Sequence, residues 1–250
     1  MAHNPEIGGS KGEDPEHPPP ATNSQALDVR RFPSVTVCMC GYFDQHYLPK
    51  LSDPILVVGL PSLGVLGCIS AEKAIEATNA TCFADYYSDF FPDFFEVGSN
   101  GLGRLPCLEF SEASTTKPNL IVLTGRATIV SDVPQSYYYV FDEILQFAKG
   151  LGVKVAYVLD ALSSEHASSR KFHVAASDRR LLIGAEKHSG KILSEARLQA
   201  VPSVILGLSR FHRISALLVA MATEPQTETE ANAKELLRFV FRITGLSCVS

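Results

Sequence analysis

The chain has 250 residues, 46% of them hydrophobic and 20% charged, a balance that supports a buried core without disulfide or metal staples. Its net charge is −5 and its basic residues are scattered pairs such as Arg30-Arg31 and Arg179-Arg180, so nucleic acid is not an expected partner. No apolar run approaches the roughly 18 residues of a membrane span, and residues 1–5 lack the basic start and apolar run of a secretory signal.

A cytoplasmic protein follows as the expectation, with its six cysteines reduced. Residues 1–32 carry Gly8-Gly9 and Pro18-Pro19-Pro20 and almost no large apolar groups. Such a stretch cannot offset its ordering entropy by burial, so a disordered tail is expected, followed by a single α/β domain over 33–250. Residues 35–40 and 55–58 then read as strands, rich in β-branched residues. A helix is expected over 63–79, on a face set by Val65, Ile69, Lys73, Ala74 and Ala77. Strands are expected again at 81–86 and 105–110.

Residues 119–124, Asn-Leu-Ile-Val-Leu-Thr, form a nearly continuous apolar run of the kind buried on both faces of a sheet. Pro134 suits the first turn of the helix that follows. Tyr137, Val140, Phe141, Ile144, Leu145 and Ala148 recur at three- and four-residue steps, and Gly150 and Gly152 end it. Residues 154–159 are the next strand. Strand, helix and strand in that order form a right-handed parallel crossover and predict a sheet covered on both faces. A short helical turn at 204–208, a strand at 214–220 and a closing helix marked by Ala233, Leu236, Leu237, Val240 and Phe241 complete the pattern.

Between the strand at 55–58 and the helix after it lies Gly59-Leu60-Pro61-Ser62-Leu63-Gly64-Val65-Leu66-Gly67. A turn that opens a helix presents unpaired amides and partial positive charge to an anion. The turn lacks the Gly-Lys-Ser/Thr of a P-loop, and Ser62 stands where a dinucleotide fingerprint has its first glycine. Tight turning and close helix packing are therefore the primary reading of Gly59, Gly64 and Gly67. A ligand loop of Gly59, Pro61, Ser62, Gly64 and Gly67 is the alternative.

This segment resembles the Gly-Leu-Pro-Gly-x-Gly-x-x-Gly opening of the proteasome assembly chaperone family, archaeal and bacterial type. Tyr87-Ser88-Asp89-Phe90-Phe91-Pro92 is similar to the family's Tyr-Ser-x-x-Phe-Pro, and Leu120-Ile-Val-Leu-Thr-Gly125 to its strand ending in Thr-Gly. Phe147-Ala-Lys-Gly-Leu-Gly-Val153 and Ile205-Leu-Gly-Leu208 follow in family order, so the resemblance covers about 53–244. It implies a three-layer α/β/α sandwich with a mostly parallel sheet, like that of nucleoside phosphorylases. It also implies a non-catalytic interaction protein that acts as a homo-oligomer on proteasome α subunits or related proteins, without a cofactor. A nucleotide-binding or ligase- or hydrolase-like enzyme using the glycine turn is the alternative. Two departures stand out. Asp160-Ala-Leu-Ser-Ser-Glu-His166 replaces a glycine-rich turn, and the end Cys248-Val249-Ser250 is not the hydrophobic-Tyr-any tripeptide of tail-docking members, so tail insertion is not expected.

Tyr86, Tyr87, Phe90, Phe91, Phe94 and Phe95 form the densest aromatic run. With Pro92 they read either as a partner surface or as a cap on the core. Ser62, Asp160 and His166 or His212 stand in hydrolase order, but Leu60 occupies the position where a nucleophile elbow requires glycine. Cys38-Met39-Cys40 lacks the spacing and second pair of a zinc site. His166 and His173 flank Arg170-Lys171 and read as a solvated loop, while His188 and His212 show no sequence partner. No metal site and no catalytic set is expected.

Overall fold

The computed structural model describes residues 41–248 apart from 63, 131–132, 134, 163–170 and 224–227. The expected tail 1–32, the strand expected at 35–40 with its two cysteines, Pro134 and His166 lie outside these residues. A nine-stranded sheet in the order β1-β3-β6-β8-β2-β9-β12-β10-β11 forms the frame. Its strands are β1 (Gly41–Gln45), β2 (Ile55–Gly59), β3 (Thr81–Ser88), β6 (Leu108–Ala113), β8 (Leu120–Thr124), β9 (Val155–Leu162), β10 (Phe172–Ala176), β11 (Lys191–Ile192) and β12 (Ser215–Ala222). Two small ladders stand apart, β4 (Glu96–Val97) with β5 (Gly103–Arg104) and β7 (Thr116–Lys117) with β13 (Ser247–Cys248).

The central strands β8, β2, β9 and β12 pair in parallel. Period-two alternation splits their side chains between two cores. Leu56, Val58, Ile121, Leu123, Ala156, Val158, Ala216 and Leu218 enter one, and Ile55, Val57, Leu120, Val122, Tyr157, Leu159, Leu217 and Val219 the other. Helices α2 (Ser136–Gly150) and α4 (Ala200–Ser209) pack together over the first core. Helices α1 (Leu66–Thr78), α5 (Glu230–Thr244) and α3 (Arg179–Lys187) cover the second. Three layers result because both faces of the strands are apolar and neither can face water.

Outside the centre the sheet turns antiparallel, through β6–β8, β3–β6 and β1–β3 on one side and β12–β10 on the other. The parallel arrangement read from the sequence thus describes the middle of the sheet, where β8, α2 and β9 form the expected crossover.

Several boundaries move for local reasons. The strand expected at 105–110 begins at Leu108, after Pro106. Helix α4 extends well beyond the expected turn at 204–208, with Pro202 in its first turn, where a missing amide costs little. Helix α3, opened by Asp178 accepting from the Arg180 amide, carries too short an apolar pattern for sequence periodicity to show it. His173 lies in β10 at 1% exposure and not in a solvated loop. Pairing with β12 on one side and β11 on the other places it inside the sheet.

Candidate functional site

Because β2, β8, β9 and β12 are parallel, their carboxyl ends share one edge. The pairings of β3, β6 and β8 place the end of β3 there too. That edge is where open α/β sheets bind ligands. The glycine turn after β2, residues 124–127 after β8, Asp160 near the end of β9, Glu228 beyond β12 and the start of the aromatic run after β3 all gather on it. Two segments singled out separately in the sequence, 59–67 and 87–95, thus become neighbours: Leu60, Pro61, Ser62 and Phe91 line one cavity.

Gly59 is a contact point between the β2 end and α1, since a Cβ there would stand 2.1 Å from the Gly67 carbonyl oxygen and 2.7 Å from the Ala71 Cβ. The Thr124 hydroxyl donates to the Gly59 carbonyl at 3.1 Å and ties the ends of β8 and β2 together. Gly64 has a different role. A Cβ on it would stand 2.0 Å from Glu228 Oε1, and Glu228 Oε2 accepts from the Val65 amide at 2.7 Å. The amide at the start of α1 is therefore capped by a carboxylate of the same chain, placed where an anionic ligand would sit.

Around this cap lies a small polar cluster. Asp160, 3% exposed, accepts the Ala161 amide at 2.8 Å. Burial pushes its carboxyl up to about 6, with the Glu228 charge adding to the rise and the Ala161 amide and Ser62 opposing it. Ser62 Oγ and Glu228 Oε1 are both buried without a hydrogen bond of good geometry. Ser62 thus lies close enough to Asp160 to favour its charged form, but the pair is not locked. Cys68, whose thiol approaches the Gly125 carbonyl at 3.6 Å, is pushed up to about 12 by burial and by Glu72, Asp160 and Glu228. A thiol so protonated is no nucleophile.

Of the hydrolase order, Ser62 and Asp160 come together, His166 lies outside the described residues, and His212 is not brought to them. His212 pairs with Asp142 of α2 at 2.7 Å, a partner that sequence reasoning did not supply because 70 residues separate the two. His212 precedes β12 and so sits at the amino edge of the sheet, opposite Ser62. Among the described residues, Asp85, Cys107 and Glu109 bring possible metal-ligand atoms within 4.8 Å of one another. Arg104 already holds Glu109 at 2.6 Å, and burial pushes the Cys107 thiol up to about 11, so a metal entering here would have to displace the guanidinium and the thiol proton.

The aromatic run divides. Tyr86 is wholly buried and Phe91 is 8% exposed; the Phe91 ring meets Tyr86 edge-on. Phe90 stacks on Tyr139 and Tyr87 on Tyr42. Phe94 and Phe95, by contrast, are 49% and 58% exposed, next to the exposed Val97, Leu102 and Leu105 of the β4–β5 hairpin and its exit.

A sequence model of the PAC2 family matches residues 56–250. The chain belongs to the PAC2 family. Solved structures share its fold: Pyrococcus furiosus PbaB, described as an archaeal proteasome activator, superposes with a TM-score of 0.75 at 19% identity over 84% of this chain and 91% of that one. P. furiosus PbaA, described as an archaeal homolog of proteasome-assembly chaperone, gives 0.67 at 16% identity over 83% and 87%. A PAC2 family protein of Streptomyces avermitilis gives 0.60 at 15% over 78% and 88%. An uncharacterized protein of Methanocaldococcus jannaschii is 27% identical over 112 residues, which span 45% of this chain and 42% of that protein.

Proposed function

We propose that this PAC2 protein is a non-catalytic, proteasome-assembly-chaperone-like interaction protein, cytoplasmic and homo-oligomeric, whose partners are proteasome α subunits. The carrying observation is the exposed apolar group of Phe94, Phe95, Val97, Leu102 and Leu105. Exposed apolar clusters on a chain that already fills two cores mark contact surfaces, and aromatic anchors dominate such contacts. In this reading Tyr87, Phe90, Phe91 and Pro92 are the footing of the surface, and Phe94 and Phe95 its contact. The descriptions of PbaA and PbaB support the class of partner. No helix among the described residues is long and apolar enough to cross a membrane.

An enzymatic reading through the glycine turn is opposed by the Glu228 carboxylate. A nucleotide phosphate would have to displace a fixed negative charge from the Val65 amide. Native mass spectrometry with proteasome α subunits at micromolar concentration tests the proposal. A complex that forms with the native chain and is lost in Phe94→Ser/Phe95→Ser is expected. Absence of a complex with every α subunit rejects the chaperone role, and a monomer throughout rejects the oligomer.

A further inference from the structure

A second feature of the same edge points to a small ligand. Between the carboxyl ends of β2 and β8 and the layer of α2 and α4 lies a cavity of about 240 Å³. Leu60, Phe91, Leu108, Val140, Phe141 and Val201 supply its apolar side, Ser62, Thr128 and Tyr137 bring hydroxyls to it, and none of its described lining residues is charged. All six apolar residues belong to the core beneath α2, with Phe91 reaching it from the aromatic run. A cavity of about 150 Å³ holds benzene, so this volume suits a single substituted ring or a fused bicycle that carries a polar group.

The lining includes one side chain with an unmet need. Ser62 Oγ is buried and, although near the Asp160 carboxyl, makes no hydrogen bond of good geometry, whereas buried hydroxyls are ordinarily satisfied. Ala200, also in the lining, holds φ at +52° although it is not glycine. Backbone strain of this kind is retained where surrounding structure imposes it and gathers at ligand sites. The uncharged wall rejects phosphates and carboxylates, which would lose their hydration without a counter-charge.

We infer that this cavity binds a neutral aromatic molecule of phenol to indole size, its one hydrogen-bonding group meeting Ser62 Oγ. The site is separate from the exposed Phe94–Phe95 contact, so it stands or falls independently of the chaperone reading.

Titration of the full chain with phenol, indole and toluene, followed by amide NMR shifts, tests the inference. Saturable shifts at Ser62, Ile129 and Val201 are expected with phenol and indole, with phenol held roughly three- to tenfold more tightly than toluene. Ser62→Ala should bring phenol down to the toluene level and leave toluene unchanged. Val201→Phe should fill the space and abolish binding of all three. Three results overturn the inference: no saturable binding to the native chain, equal affinity for phenol and toluene in it, or a phenol preference that survives Ser62→Ala. The Ser62→Ala comparison decides the matter even where Val201→Phe does not fold.

Discussion

At the scale of single residues, Glu228 and Asp160 are two carboxylates on one edge with opposite consequences. Glu228 caps the Val65 amide, and a charge-assisted hydrogen bond of this kind contributes about 1–2 kcal/mol. Glu228→Ala is therefore expected to destabilise the chain by about that amount in urea unfolding at neutral pH. Asp160 is held up at about 6, chiefly by burial, against about 3.9 for an unfolded aspartate. Between those values the folded chain binds more protons than the unfolded chain. Its contribution to stability is thus complete below about pH 4 and is lost as pH rises through about 6. Asp160→Asn keeps an oxygen for the Ala161 amide and removes the charge. It is expected to exceed the native chain by about 2 kcal/mol at about pH 8 and to match it at about pH 4. A difference that does not change between those pH values would refute the account. Since Asp160 and Glu228 interact, the two substitutions should not add.

Among elements, the turn that joins β2 to α1 works by close approach. Gly59→Ala drives a Cβ into the Gly67 carbonyl and is expected to cost about 3 kcal/mol. Gly150→Ala, at the end of α2 with nothing within 4 Å of its added Cβ, should be neutral or stabilising by up to about 1 kcal/mol. Thermal melts of the pair compare the two directly, and equal losses would show that crowding at Gly59 is not the cause. The aromatic run offers a second contrast within one segment. Phe91→Ala empties a place in the first core and should cost about 3 kcal/mol, whereas Phe95→Ser should stay within about 0.5 kcal/mol. If Phe95→Ser instead destabilises like Phe91→Ala, the exposed contact surface is part of the core.

For the whole molecule, the layering follows from four parallel strands with two apolar faces, and the edge that gathers the candidate site follows from their shared direction. A nucleotide held at 100 times its dissociation constant would stabilise the fold by about 2.7 kcal/mol. ATP and NAD are expected to leave the thermal midpoint unchanged, because Glu228 occupies the helix start that their phosphates would need. A midpoint raised by either one would revive the enzymatic reading.

Local pattern was enough for the centre of this protein. The run 120–124, the three- and four-residue steps of α2 and the glycine turn each carry their structure in neighbouring residues, because periodicity and turn chemistry act over short spans. Likewise the order of short motifs was sufficient to point to the family. The antiparallel flanks, buried His173, the split of Phe91 from Phe94 and Phe95, the His212–Asp142 pair and the Glu228 cap were settled only in three dimensions. Each depends on which distant segment arrives alongside, as with Val65 and Glu228 at 163 residues' separation. Hydrogen-bond partners and burial across such distances leave no mark in the local sequence, since any acidic residue near the start of α5 reads the same until the fold places it.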